Sequence, residues 1–281
     1  MYQTEPNSQL LKKNRILFIH LPKTGGSTMY DIIKNHIFQG ENNCLSVGNQ
    51  EQVKQFQELN FEHASAYKVI AGHINFMTTK SKLGESIRQF FTFTLLRNPV
   101  AQSLSLYQYI LQTPKHIQHS KVKTLSFEEF IDSDSYTPNI QCKIISNQPS
   151  CQATLEILKN HFDCFGTLEN FDRIVEKVCQ HFGKAVPSYR ILNKSKKTVD
   201  QEAINYSLFE KILSKNEQDV KLYTIVKARE EASESKSTDS TCSQTKADLK
   251  PIFKKDLEGS RARLLQFKQD LERYKTGFRA L

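Results

Sequence analysis

What this 281-residue chain lacks narrows what it can be. No stretch approaches the ~18–20 consecutive apolar residues that a membrane-spanning helix needs, so no span is expected. Met1 to Asn14 contains no apolar core of the kind a secretory leader carries, and a cytoplasmic protein is expected. The six cysteines, Cys44, Cys142, Cys151, Cys164, Cys179 and Cys242, include no Cys-x-x-Cys pair and no His/Cys cluster at zinc spacing. Reduced thiols in the core are expected, with a Cys142–Cys151 disulfide left open. There is no internal repeat, no long block of lysines and no signature of RNA or DNA binding. A net charge of +9 and a pI of about 9.1 still call for an anionic partner. A polyanionic cofactor accounts for that charge without nucleic acid.

Hydrophobic residues make up 38% of the chain and mean hydropathy is −0.53, enough for one large α/β domain or two small ones. Short apolar runs predict strands at Ile16–Ile19, Tyr67–Ala71, Phe90–Leu96 and Cys164–Leu168. Helical spacing is found from Met29 to Ile37, over Gln52–Leu59 and Ser81–Gln89, and from Pro99 to just before Pro114. It continues in Phe127–Ile131, Ile140–Ile145, Leu155–Leu158, Glu169–Phe182, Glu202–Leu213 and Glu217–Val226. Strands alternating with helices imply a mostly parallel sheet covered on both faces. Composition divides the chain into a loose N-terminus (1–14), a main domain (15–228), a Ser-, Thr- and Glu-rich linker (229–249) and a basic amphipathic C-terminal helix (250–281). That helix is expected to dock on the parent domain or on a second copy, ahead of an acidic membrane surface.

The most informative stretch is residues 15–30. An apolar strand runs into Pro22, then Lys23, Thr24, Gly25, Gly26, Ser27 and Thr28, then a helix. Two glycines let successive N–H groups turn inward. The helix N-terminus adds partial positive charge, Lys23 a full charge, and three hydroxyls add donors. Such a cradle suits a phosphate or a sulfate. In a nucleotide triphosphatase loop the lysine follows the glycines; here it precedes them.

Two further clusters sit directly after strands. Arg97 ends the Phe90–Leu96 run, and Ser105 follows one to two turns into the next helix. A guanidinium and a hydroxyl at the C-terminal end of a parallel strand can share one phosphate. Gly72-His73-Ile74-Asn75-Phe76 follows the second strand, where a histidine can accept a hydroxyl proton near neutral pH.

Pro22 to Thr28 resembles the 5′-phosphosulfate loop of sulfotransferases that use PAPS (3′-phosphoadenosine 5′-phosphosulfate), the carbohydrate branch in particular. Arg97 and Ser105 resemble that family's 3′-phosphate motif, and Tyr107 completes its Ser-x-Tyr. Asn98 stands where aspartate is common, and Gln102 where a second arginine is common. Gly72-His73-x-x-Phe76 resembles the motif carrying the base of uronyl 2-O-sulfotransferases. Softer likenesses are Phe165–Glu169, the loop Leu192-Asn193-Lys194-Ser195, and a closing helix with Asn216, Asp219, Leu222 and Tyr223. The resemblance runs from about residue 15 to 226 and covers neither the linker nor the last helix.

What it implies is an α/β, three-layer P-loop-like fold with a central, mostly parallel sheet flanked by helices. The implied reaction moves a sulfuryl group from PAPS to an acceptor with a free hydroxyl, foremost a glycan, without a metal. His73 and Lys23 would be catalytic. Lys23, Thr24, Gly25, Gly26, Ser27, Thr28, Arg97 and Ser105 would bind the cofactor, with Asn193, Lys194 and Ser195 closing near it. His20 is expected to support the loop. Animal Golgi members carry an N-terminal anchor, which this chain either lacks or has lost. Two rival readings stand beside this one. A P-loop kinase or NTPase needs a lysine after the glycines and a magnesium carboxylate at a strand end. A non-catalytic nucleotide-binding protein would assemble as a homo-oligomer through the C-terminal helix.

Overall fold

The computed structural model describes residues 13–192 and 205–237. Within them five strands form one sheet: β1 (Arg15–Ile19), β2 (Cys44–Val47), β3 (Val69–Gly72), β4 (Phe90–Leu96) and β5 (Cys164–Thr167). Their order is β2-β3-β1-β4-β5 and every pairing is parallel. The helices are α1 (Gly26–Ile32, continued by a π-helical turn over Ile33–Ile37), α2 (Gln50–Glu58), α3 (Phe61–Ala66), α4 (Phe76–Leu83), α5 (Pro99–Gln112) and α6 (His119–Val122). They continue with α7 (Phe127–Asp132), α8 (Ile140–Ser146), α9 (Cys151–His161), α10 (Phe171–His181), α11 (Tyr206–Lys215) and α12 (Glu217–Ser237).

The alternation of side chains along a strand makes this a three-layer fold. On β1, Leu17 and Ile19 point into a core shared with α5, α8, α9, α11 and α12. Ile16 and Phe18 point the other way, into a core shared with α1 and α10. Both faces are dry, which is why the strands read as continuous apolar runs. The expected α/β class and parallel sheet are therefore found. Among the described residues no helix is long and apolar enough to cross a membrane. The five described cysteines are free, and Cys142, Cys151, Cys164 and Cys179 are buried.

Helices α3 and α6 were not expected from the sequence, and three further differences bear on the site or the sheet. β2 was not foreseen: Cys44–Val47 is a four-residue edge strand in a polar surround, too short for a clear period. The helix expected from Ser81 begins instead at Phe76. Asn75 caps it by accepting from the Thr78 N–H at 3.0 Å, and residues Gly84–Gln89 form a 3₁₀ helix. α12 runs on to Ser237, past Arg229 where the composition changes. Glu230 explains the extension, since its carboxylate accepts from the Thr167 N–H at 2.8 Å and the Thr167 hydroxyl at 2.7 Å. Arg229 also lies over the Phe165 ring at 5.1 Å. The C-terminal segment 250–281 lies outside the described residues.

β2 has one strict requirement of its neighbour. Gly72 has φ +152, and a Cβ there would overlap the carbonyl oxygen of Val47. Gly72→Ala is therefore expected to cost about 2–4 kcal/mol, read as a lower urea midpoint with an unchanged slope.

Candidate active site

β1 is the switch point of the sheet: the chain leaves it toward β2 and β3 on one side and returns to β4 and β5 on the other. Parallel sheets bind ligands in the crevice that opens there, beyond the strands' C-terminal ends. A cavity of about 1460 Å³ occupies that position. His20, Lys23 and Gly25 line it from the β1–α1 loop, Gly26, Ser27 and Thr28 from the first turn of α1, His73 and Arg97 from just beyond β3 and β4, and Ser105 from α5. The three separate sequence clusters thus meet at one site.

The loop is a strained turn held by side chains. Lys23 (φ 64) and Gly25 (φ 79) both adopt left-handed conformations, a setting that costs a non-glycine residue about 1 kcal/mol. Three hydrogen bonds hold the turn. Arg97 Nη1 donates to the Lys23 carbonyl at 2.8 Å, Gln102 Nε2 to the Pro22 carbonyl at 2.8 Å, and the Thr24 hydroxyl to the Leu21 carbonyl at 2.8 Å. Thr24 is fully buried, so its hydroxyl serves the loop and does not line the cavity. A Cβ on Gly25 would lie 2.9 Å from Leu168 Cδ1, and one on Gly26 would overlap the His20 ring. The glycines are needed for close approach as much as for the turn, and His20 supports the loop as expected.

His73 is oriented from two sides. Its backbone N–H donates to the Val47 carbonyl at 2.7 Å, so the unforeseen strand β2 fixes its position. Its Nδ1 donates to the His20 carbonyl at 2.9 Å. That bond places the proton on Nδ1 and leaves the Nε2 lone pair for a ligand proton. The ring stacks on His20 at 4.2 Å. His20 stacks in turn on Phe18 at 5.6 Å, and Phe18 on Phe93 at 4.7 Å. Burial lowers the pKa of His73 below the usual histidine value, with the Lys23 charge adding to the effect. His20 is lowered further by burial, His73 and Lys23. Both imidazoles are therefore neutral near pH 7.

Two cations face the same space. Burial and the neighbouring Arg97 guanidinium bring Lys23 down to about 8. Bringing like charges together in a partly desolvated cavity is unfavourable in the free protein and favourable once an anion lies between them. Arg97 is held through its backbone as well. Gln141 donates through Nε2 to the Arg97 carbonyl at 2.8 Å and accepts from the Arg97 N–H at 3.0 Å. Gln141 lies in the first turn of α8, where the N–H groups of Gln141 and Cys142 donate to the buried carboxylate of Asp219 at 2.9 and 2.8 Å. Asn139 returns the favour by accepting from the N–H groups of Gln218 and Asp219 on α12. The two helix starts cap each other. This is the physical content of the Asn216–Asp219 pattern, where Asn216 accepts from the Asn139 N–H at 3.0 Å.

The two departures from the family pattern also have work. Asn98 caps α5 by accepting from the N–H groups of Val100 and Ala101, which an amide oxygen does as a carboxylate would. Gln102 holds Pro22. Asn193, Lys194 and Ser195 lie outside the described residues; just before them, the Leu192 N–H donates to Thr28 Oγ1 at 2.9 Å. Sequence reasoning passed over Tyr109 and His116, which also line the cavity. Their only signal was Tyr109 falling four residues after Ser105 on the same helix.

No curated protein matches the chain. A solved structure, mouse sulfotransferase SULT7A1 complexed with PAP, aligns at 12% identity over 83% of this chain and 69% of that one. Its TM-score is 0.38. The model of the sulfotransferase family matches residues 9–274, nearly the whole length, and includes the loop, His73 and Arg97. The chain belongs to the sulfotransferase family.

Proposed function

We propose that this enzyme takes a sulfuryl group from PAPS and delivers it to an acceptor hydroxyl, with a carbohydrate as the favoured acceptor. The observation that carries this reading is the convergence of Lys23, Arg97 and the open Nε2 of His73 on one cavity at the sheet's switch point. The residues present suit that donor. Lys23 with the loop from Gly25 to Thr28 would hold the 5′ end, and Arg97 with Ser105 the 3′-phosphate. Bound there, the donor supplies an activated sulfuryl group on a phosphate leaving group. His73 Nε2 receives the acceptor's proton, and the His20 carbonyl stabilises the resulting imidazolium through Nδ1–H. Lys23 offsets negative charge that grows on the leaving side. A carbohydrate acceptor is supported by the likeness of Gly72-His73-x-x-Phe76 to uronyl enzymes. A cytoplasmic location is in keeping with the five free thiols among the described residues.

Calorimetry tests the donor site. 3′,5′-ADP is expected to bind more tightly than 5′-AMP, and Arg97→Ala to reduce that preference by about 10–100-fold. Because Arg97 also braces the loop, Ser105→Ala is the milder companion and should reduce it about 3–10-fold. A preference that survives both variants overturns the assignment. Transfer of labelled sulfate from PAPS to a panel of sugars tests the reaction, and metal-dependent ATP hydrolysis in its place would favour a kinase-like enzyme.

A further inference from the structure

One side of α5 faces the β1–α1 loop at regular intervals. Asn98 caps the helix, Gln102 holds Pro22, Ser105 lines the cavity and Tyr109 meets Lys23. Steps of four, three and four residues keep all four on one stripe. The Lys23 ammonium lies 4.1 Å from the centroid of the Tyr109 ring, well inside the ~6 Å within which an aromatic face attracts a cation. Tyr109 is itself steadied by His116, whose ring meets it edge-on at 5.7 Å and 83°. Tyr109 is 40% exposed, so burial of apolar area does not account for its place.

The groups that face Lys23 from the neighbouring strand ends are Arg97, His20 and His73. None of them offers negative charge. A lysine stem has four rotatable bonds, and repulsion from Arg97 favours the rotamers that carry the ammonium into bulk water. The electron-rich ring face opposes that escape from the cavity side.

We propose that Tyr109 is a positioning residue: its ring face seats the Lys23 ammonium on the cavity wall before the donor binds, against the repulsion of Arg97. The task given to Lys23 rests on the proposed reaction; the seat itself does not. When the donor arrives, the cation is already ordered where charge will develop, and the transition state need not order it.

Two measurements test the proposal. The first is NMR of the ligand-free protein. The ring face should move the Lys23 ε-methylene resonance upfield, in the wild type and in Tyr109→Phe alike, and Tyr109→Leu should return it to the ordinary lysine position. Lys23→Ala identifies the resonance by its loss. The second is a double-mutant cycle on sulfate transfer from PAPS. Tyr109→Leu should lower kcat about 3–10-fold and donor KM by less than about 2-fold, with Tyr109→Phe within about 2-fold of wild type. On the Lys23→Ala background, Tyr109→Leu should cause no further loss. An ordinary Lys23 resonance in the wild type overturns the seat, and so does an equal loss on both backgrounds, which would make Tyr109 a plain wall. If PAPS supports no transfer but the upfield resonance is present and vanishes in Tyr109→Leu, the seat stands and the donor reading fails.

Discussion

His73→Ala is expected to lower kcat for sulfate transfer by about 10²–10⁴-fold, the usual contribution of a positioned general base. Binding of 3′,5′-ADP should change by less than about 3-fold, because in the proposed mechanism His73 acts on the acceptor proton and not on the donor. Turnover by the variant at the wild-type rate removes His73 from the mechanism. The pH profile checks the same assignment by a separate route. A base must be unprotonated, so kcat/KM should fall as the pH drops through a limb below 6.5, the side to which burial moves His73. Lys23 must be charged, so a second fall is expected as the pH rises through about 8. The wild type should therefore show a bell. His73→Ala should lose the acid limb and Lys23→Ala the alkaline one.

Asp219→Ala is the second large effect, and it falls on stability. The carboxylate is 1% exposed and accepts from the N–H groups of Gln141 and Cys142 in the first turn of α8. Its removal orphans both in a dry setting, at a cost of about 2–4 kcal/mol. A chain of this size should then melt about 5–15 °C lower. The damage should also reach the proposed 3′-phosphate site, since the start of α8 carries Gln141, and Gln141 holds both backbone polar groups of Arg97. A smaller 3′-phosphate preference in folded variant, measured well below the melt, is the expected companion. An unchanged melting temperature would mean that Asn139 and Asn216 alone hold the two helix starts.

The sheet was legible because its strands are buried on both faces. Phe90–Leu96 is buried at every position, with only Thr92 and Thr94 interrupting its apolar run. The site was legible where chemistry is carried by a local phrase, as in Lys23 to Thr28 or Arg97 to Ser105. It was not legible where a side chain acts at a distance. β2 is too short to announce itself, yet its Val47 carbonyl places His73. Thr24 sits among cavity residues in sequence but turns inward, because the left-handed turn at Lys23 needs its hydroxyl. Glu230 belongs by composition to a linker, and only the fold brings it onto Thr167. Tyr109 became visible once α5 was known to present a single stripe to the loop. Local pattern finds residues that share a segment; it does not find partners that the sheet order brings together.

The column of rings from Phe93 through Phe18 and His20 to His73 ties the proposed base to the centre of the sheet. Its first two members belong to β4 and β1, which pair directly, and Phe18 stands opposite Phe93 in their register. His73 therefore loses its rotational freedom when the sheet forms, before any ligand is present, and has little left to lose in the transition state. In thermal terms, activity that depends on this ring should persist nearly to the melting point of the sheet and then disappear with it, with no separate loosening of the site beforehand.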